Sequence, residues 1–277
     1  MSIRKEASGR RSVQAEAELP GTPEQVWQAI ATGPGVSAWF CPTEIEMGSD
    51  GKPARLVFDM GPGMQSAATV TAWDPPRRFA AESVWAPNMP PVATEWTVEA
   101  RAGGTCLVRV MHSLFASTDD WDNQLESTET GWPGFFRILR LYLSHYAGQR
   151  CFPMRAITMV AGDEDGAWQK LSRALGLASA AAGQKKSAPA GVPPFSGTVE
   201  HVDDKPNAHG MLLRLHGPAP GTLAFGTFNC GGMVLVSVGF FLYGDATAAV
   251  AKRDEPSWQA WMQKQFPAAS EANAGAG

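Results

Sequence analysis

His112 is the residue of this chain best suited to acid–base chemistry. It lies in the strand pattern Thr105–Phe115, where it shares one face with Cys106, Val108 and Val110 because side chains alternate across a strand. A histidine on the inner face of a sheet could orient a ligand or transfer a proton. The alternative is a half-buried histidine that is satisfied by hydrogen bonds within the protein.

Glu82 is the carboxylate predicted to accompany His112 if the protein is an enzyme. It shares a strand face with Val84, so the pattern predicts an inward side chain, which would need a buried partner that the sequence does not identify. Arg109 and Glu95 fall on the other faces of their strands and are predicted to be solvated.

Tryptophan and phenylalanine are concentrated in the same half of the chain. Such rings can line a pocket for a flat apolar ligand, or they can fill the core. The predicted ligand-binding set is Trp73, Trp85, Trp96, His112, Phe58, Phe136 and Leu139. The segment from Met60 to Met64 is predicted to be a hairpin tip that either rims a binding mouth or forms a plain turn.

Other kinds of site find little support. The acidic run Asp119-Asp120-Trp121-Asp122 lacks the ligand spacing of a calcium loop, so no metal is predicted. The chain has no glycine-rich phosphate loop and no Ser-His-Asp order, and no cofactor is expected. The four cysteines do not pair at zinc-site spacing and are predicted to be buried free thiols.

Composition excludes several classes of partner. The 277-residue chain is 44% hydrophobic and 18% charged, with a formal net charge of −4. It has no basic stripe for nucleic acid and no apolar run of membrane-spanning length. The first residues lack the apolar stretch of a secretory signal, so the expected location is the cytoplasm.

The elements that would position these residues follow from periodicity. Alternation predicts a strand over Arg11–Leu19, and Thr22-Pro23-Glu24 has the chemistry of a helix start. An amphipathic helix is predicted from Glu126 to Arg150, with Pro133 in its first turn or marking its true start. Between them lie the predicted strands Thr43–Met47, Ala54–Met60, Ser66–Trp73, Arg78–Trp85, Ala93–Ala100 and Thr105–Phe115.

The second half of the chain repeats this order in shorter form. The Gly-Gly pairs at Gly103 and Gly231 are 128 residues apart (231 minus 103), and the turns at Asp74 and Asp203 are 129 apart (203 minus 74). Two landmarks at nearly one offset predict a duplicated unit. Trp27 and Trp168 differ by 141, so the second copy should lack about one hairpin.

The second copy is predicted to begin with strand Met154–Val160 and helix Gly166–Leu175, and to end with a helix capped by Asp245. The segment from Ala178 to Pro194 is predicted to be a flexible loop. Four strands are predicted between these helices: Phe195–Val202, Gly210–His216, Leu223–Asn229 and Met233–Tyr243. The predicted domains are 11–150 (complete), 151–267 (shortened) and a disordered tail, 268–277.

Residues 22–30, with Ala38-Trp39-Phe40, resemble the opening of the START-like (SRPBCC) superfamily, closest to homologues of the activator of the heat-shock-protein-90 ATPase. The resemblance continues through Trp73-Asp74-Pro75-Pro76-Arg77 and Gly131-Trp132 and covers most of residues 11–150. It implies an α+β helix-grip fold, a curved antiparallel sheet around a long C-terminal helix, with a cavity between them.

Three functions are consistent with this resemblance. The first, which we favour, is binding of a small hydrophobic molecule without catalysis, the second copy acting as a structural or dimerising companion. The second is a cyclase or aromatase in which His112 and Glu82 move protons. The third is an interaction protein like the chaperone activator, which would need an exposed patch.

Overall fold

The computed structural model describes residues 3–61, 65–85, 88–116, 118–205, 208–230 and 232–267. The predicted tail, 268–277, and residues 62–64 of the predicted Met60–Met64 tip lie outside these residues. The chain divides into two compact units, Met1–Gly148 and Gln149–Gly277.

The first unit contains eight strands and three helices in the described residues. In chain order they are β1 (Arg4–Lys5), β2 (Arg10–Pro20), α1 (Pro23–Ile30), α2 (Gly33–Ser37), β3 (Thr43–Met47), β4 (Pro53–Asp59), β5 (Gln65–Asp74), β6 (Arg78–Ser83), β7 (Val92–Arg101), β8 (Thr105–Phe115) and α3 (Asp122–His145). The short strand β1, which the sequence did not indicate, pairs with β2.

Helix α1 begins where its sequence predicts. The hydroxyl of Thr22 accepts a hydrogen bond from the backbone N–H of Gln25, whose side chain accepts from the backbone N–H of Thr22. This reciprocal capping box satisfies two backbone donors at the helix start, and Pro23 fits the first turn because it has no N–H to satisfy.

The strands of the first unit form one antiparallel sheet in the order β1-β2-β8-β7-β6-β5-β4-β3. Strand β2 therefore lies next to β8, and the sheet then runs back through successive hairpins to its edge at β3. Helix α3 packs against β2. The result is the helix-grip architecture, α+β, that the resemblance implies.

Helix α3 begins at Asp122 and contains Pro133 well inside it, so the prediction that Pro133 lies in the first turn is wrong. Proline removes one backbone hydrogen bond and costs about 3 kcal/mol in a helix interior. The helix continues through it because Leu125, Trp132 and Phe136 are buried on both sides of the proline. Packing of this apolar face outweighs the local preference.

The second unit has the same plan with fewer strands. Its described elements are β9 (Cys151–Val160), α4 (Glu164–Ala174), β10 (Lys185–Ser187), β11 (Ser196–Lys205), β12 (Ala208–Gly217), β13 (Gly221–Cys230), β14 (Met233–Tyr243), a 3₁₀ turn (Asp245–Thr247) and α5 (Ala248–Gln265). The sheet order is β10-β11-β12-β13-β14-β9, and α5 packs against β9.

Both units therefore place the first long strand beside the last strand and cover that first strand with the final helix. The two sequence landmarks fall at equivalent places: the Gly-Gly pairs precede β8 and β14, and Asp74 and Asp203 lie in the last residues of β5 and β11. The fold is duplicated. Among the described residues, no strand of the second unit corresponds to β3, and β10 is a three-residue remnant in the place of β4.

Two expectations for the second unit are wrong. The segment from Ala178 to Pro194, predicted to be a flexible loop, contains β10, which pairs with β11. The backbone N–H of Gly183 also donates to the carbonyl of Val199 at 2.8 Å. Val192 and Ala188 also pack on the core, which is why an Ala- and Gly-rich stretch is held in place. Asp245 does not cap α5 but begins the 3₁₀ turn before it.

Three cysteines, Cys41, Cys106 and Cys151, are free thiols. Cys41 and Cys106 are buried and Cys151 is half-buried, where burial raises the pKa of the Cys151 thiol to about 12. Such thiols are unreactive at neutral pH. Among the described residues, no helix is both long and apolar enough to cross a bilayer.

Candidate functional site

His112 lies on the inner face of β8 with Val108 and Val110 and is almost fully buried. Both of its ring nitrogens are bound. The indole Nε1–H of Trp132 donates to His112 Nε2 at 2.8 Å, and His112 Nδ1 lies 2.8 Å from Thr94 Oγ1. Strand β7 supplies Thr94 directly opposite His112, and α3 supplies Trp132 from the other side.

The direction of this hydrogen-bond chain follows from the chemistry of indole. Tryptophan can only donate, so His112 Nε2 must present its lone pair. The proton of a neutral imidazole is then on Nδ1, and Nδ1–H donates to Thr94 Oγ1. The chain therefore runs in one direction, from Trp132 through His112 to Thr94.

Burial holds His112 in this neutral state. Desolvation lowers the pKa of His112 from 6.5 to about 3, and no carboxylate opposes the shift. The lone pair of His112 Nε2 already accepts a hydrogen bond from Trp132, so His112 has no free lone pair with which to take up a proton at neutral pH. The arrangement is that of a histidine that positions its neighbours.

The predicted aromatic residues form a continuous series of ring contacts. Trp96 lies at its center, with centroids 5.0 Å from Trp132, 6.2 Å from Phe136 and 6.2 Å from Phe79. Phe79 continues the series to Trp73 at 5.5 Å. Trp73 is also 5.2 Å from Trp27 of α1, so it packs at the far end of the sheet from His112.

Three further aromatic rings, of Phe40, Phe58 and Phe135, meet where the sheet edge faces the helices; we call them the aromatic wall. The ring of Phe40, just after α2, lies 6.3 Å from Phe58 of β4 and 4.8 Å from Phe135 of α3. It also stacks on Trp132 at 5.9 Å and 19°. All three rings of the wall are only half-buried, whereas Trp132 beneath them is buried.

One end of the first unit carries exposed apolar side chains. Met60 follows β4 and Trp85 follows β6, and since hairpins alternate between the two ends of an antiparallel sheet, both lie at the same end. Trp85 is 37% exposed, and its ring makes an edge contact with His112 at 5.1 Å. Its indole N–H donates to Ser83 Oγ at 2.9 Å.

The remaining residues named from the sequence lie either in the core or on the outer face of the sheet. Leu139 is fully buried within α3. Glu82 is exposed, so the prediction that it points inward is wrong: Phe79 and Ala81 of β6 are buried, which leaves Glu82 on the outer face. Arg109 also lies on the outer face, where it pairs with Glu16.

The acidic run before α3 has basic partners. Asp122 accepts two hydrogen bonds from Arg11, at 2.7 and 2.8 Å, and forms an ion pair with Lys5 at 2.9 Å. Asp119 is a further partner of Arg11. The Arg11 hydrogen bond lowers the pKa of Asp122 to about 2. Within the described residues no arrangement of three or more His, Cys, Asp or Glu side chains could hold a metal ion.

The second unit has an equivalent position without the histidine. His112 lies eight residues after Gly104, and Phe240 eight after Gly232. Trp132 and Trp258 each lie ten residues after the first residue of their helix. The ring of Trp258 is 4.8 Å from Phe240, and within the described chain its indole N–H has no acceptor.

Leu223 takes the place of Thr94. It pairs with Phe240 across β13 and β14 as Thr94 pairs with His112 across β7 and β8. The donor chain of the first unit is thus replaced by apolar side chains in the second.

Part of the chain matches a known family. Residues 10–138 match the family model described as polyketide cyclase / dehydrase and lipid transport. The first unit is similar to this family over most of its length, and we call it the START-like unit. The match covers the sheet from β2 onward and most of α3, and so includes His112, Thr94 and Trp132. No curated protein matches the chain in sequence.

Several solved structures are similar to the chain. The di-domain aromatase/cyclase BexL from the BE-7585A biosynthetic pathway is 13% identical, with 93% of this chain and 99% of that one covered and a TM-score of 0.45. DynU16, from the dynemicin biosynthetic locus, is 17% identical over 91% and 96%, with a TM-score of 0.41. The Aha1 dimer from Colwellia psychrerythraea is 22% identical over 48% and 96%, with a TM-score of 0.38.

Sequence reasoning missed four residues of the START-like unit's site. In the sequence, Phe40 and Trp132 stand out only through the family resemblance, and Phe135 only as one residue of the amphipathic helix predicted from Glu126 to Arg150. Thr94 carried no signal of its own, because its role depends on lying opposite His112.

Proposed function

We propose that the START-like unit binds a small hydrophobic or aromatic molecule between its sheet and α3. The observation that carries this proposal is the half-buried aromatic wall of Phe40, Phe58 and Phe135. Aromatic rings that pack on one another normally bury their faces fully when they belong to a closed core. Rings that remain half-exposed beside a buried Trp132 offer apolar surface to a ligand.

The position of the wall favours a flat ligand. Phe40 stacks nearly parallel on Trp132 and meets Phe135 edge-on at 72°, so the three rings present two orientations of aromatic surface. A planar molecule could stack on one ring and take an edge contact from another. Met60 and Trp85 supply adaptable and rigid apolar surface at the exposed end.

Binding without catalysis is favoured over a cyclase or aromatase activity. An acid–base role needs a group with a free lone pair or an available proton near neutral pH. His112 has neither, because Trp132 occupies its lone pair, and Glu82 lies on the outer face. Both groups named for the enzymatic alternative are therefore poorly placed for it.

The test is titration with anthracene-2-sulfonate, a flat and soluble probe, followed by quenching of tryptophan fluorescence. Phe40→Ala and Phe135→Ala each remove one ring of the wall, and each is expected to weaken binding about tenfold. Phe115→Ala is the matched control, since Phe115 is 64% exposed and lies on the outer face of β8.

Equal affinity in the wild type and in all three variants would overturn the proposal, as would a wild type that binds no probe. Native mass spectrometry of the protein purified from its host gives an independent readout. It is expected to show a co-purified molecule of small mass that is lost in Phe40→Ala and retained in Phe115→Ala.

A further inference from the structure

We infer that the hydroxyl of Thr94 donates a hydrogen bond to an acceptor oxygen on the ligand of the START-like unit, and so selects ligands that carry a carbonyl group. This inference rests on the proposed binding function and specifies its ligand. It follows from the direction of the Trp132–His112–Thr94 chain, because each member of the chain donates to the next.

Thr94 is the open end of that chain. Its Oγ1 accepts the hydrogen bond from His112 Nδ1–H, so its own O–H is left to donate. Among the described residues, the Thr94 side chain makes no other hydrogen bond. Trp132 and His112 are buried, whereas Thr94 is only half-buried, so the chain leads from the core to accessible surface.

The chain also strengthens the donor. Hydrogen bonds that point in one direction polarise one another, and the effect is largest where water is excluded. His112 is 4% exposed, so the bonds at both of its nitrogens lie in such an environment. The Thr94 O–H is therefore a better donor than an isolated threonine hydroxyl.

A second hydroxyl lies nearby and is arranged in the same way. Ser83 Oγ accepts from the indole N–H of Trp85, which leaves the Ser83 O–H to donate. Thr94 pairs with Ala81, and Ser83 with Val92, so Ser83 and Thr94 are diagonal neighbours on one face of β6 and β7. Trp85 also contacts His112, which places both hydroxyls beside the same two rings.

Two donors and aromatic surface define the ligand chemistry. A carbonyl oxygen has two lone pairs and lies in the plane of a conjugated ring, so it can accept from these hydroxyls while the ring contacts aromatic side chains. A pure hydrocarbon would leave the donors without a partner, at a cost in affinity. The site is therefore suited to a flat aromatic ketone or quinone.

The experiment compares two probes of nearly the same shape and charge, anthraquinone-2-sulfonate and anthracene-2-sulfonate. The wild type is expected to bind the quinone about three- to tenfold more tightly, as one neutral hydrogen bond would give. Thr94→Val keeps the shape of the side chain and removes the O–H, so the preference for the quinone is expected to fall, with only the Ser83 hydroxyl left to donate. Thr94→Ser restores the hydroxyl and is expected to restore the preference.

The outcomes separate the two proposals. If neither probe binds, the proposed function fails. If both bind and the wild type shows no preference, or Thr94→Val keeps it, binding stands and the role of Thr94 is overturned. Hydrocarbon affinity is the internal control, since a Thr94→Val protein that had lost its fold would bind neither probe.

Discussion

At the scale of single residues, one indole fixes the state of a histidine and a threonine. Trp132 can only donate, and this determines which nitrogen of His112 carries the proton and which way the Thr94 hydroxyl can act. A histidine on the inner face of a sheet suggested catalysis, but its two partners make it a fixed relay. Its neutrality has a measurable consequence for stability.

The first prediction concerns the pH dependence of unfolding. The pKa of His112 is about 3 in the folded protein and near 6.5 when unfolded, so the unfolded state binds the proton first as pH falls. The stabilisation is complete above pH 6.5 and is lost as pH decreases toward 3, by about 1.4 kcal/mol per pH unit across most of that window.

His112→Phe should remove this dependence. Urea unfolding of the two proteins at several pH values gives the difference in slope, in which the carboxylates common to both cancel. Parallel curves for wild type and variant between pH 6.5 and 3 would show that His112 titrates normally and would contradict its assigned environment.

At the scale of elements, helix α3 is attached to the sheet at its start by charge. Arg11 of β2, whose side chain is 8% exposed, and Lys5 of β1 both pair with Asp122, the first residue of α3. Arg11 also pairs with Asp119 in the preceding loop. The acidic run that could have suggested a metal site instead holds the helix against the two strands.

The second prediction is that Asp122→Asn loosens the first turns of α3 by leaving the Arg11 guanidinium poorly paired. Amide hydrogen exchange should rise in the peptide that contains the start of α3. The pKa of Asp122 lies below its usual 3.8, at about 2, so this contribution is present above about pH 4 and is lost as pH falls toward 2.

Glu95→Gln is the matched control for this prediction. It breaks the Arg78–Glu95 pair on the outer face, where both side chains are substantially exposed. Exposed ion pairs contribute little to stability, so amide hydrogen exchange in α3 should not change in Glu95→Gln. Equal exchange at the start of α3 in the wild type and in Asp122→Asn would show that the ion pairs do not hold the helix.

The sequence predicts elements well where turn residues bound them and less well where tertiary contacts decide. The strands Thr105–Phe115 and Met233–Tyr243 agree to the residue with the structure, because a Gly-Gly pair stands before each in the sequence. Pro133 was misplaced because burial of Trp132 and Phe136 overrides its local cost. Thr94 was missed because a one-residue change in register would place a different side chain opposite His112.

At the scale of the whole molecule, the chain contains one fold twice with different interiors. The first copy places His112 and Thr94 against the tryptophan of its final helix, and the second places Phe240 and Leu223 there. The polar chain proposed to select a ligand therefore belongs to the first copy. This difference makes the second copy an internal reference for the first.

The third prediction compares the same substitution in the two copies. Trp132→Phe leaves the buried Nε2 of His112 without its donor, whereas Trp258→Phe removes an N–H that had no acceptor. Both changes shorten the same kind of side chain at the same position. Trp132→Phe should therefore destabilise its unit by about 1–3 kcal/mol more than Trp258→Phe destabilises the other.

Native-state hydrogen exchange measures the loss of stability in each unit separately, from peptides of β8 and of β14. It does not require the two units to unfold together. Equal losses of protection would mean that the hydrogen bond to His112 adds nothing beyond the packing of the ring.

The indole nitrogen of Trp258 also shows which property of tryptophan the second copy uses. A buried donor without an acceptor costs free energy, so what this side chain contributes to its core is the volume of its ring. Phenylalanine at position 258 would remove the unpaired N–H and would also give up part of that packing. At position 132 the same ring both packs and donates to His112, so one residue type has two uses in the first copy and one in the second.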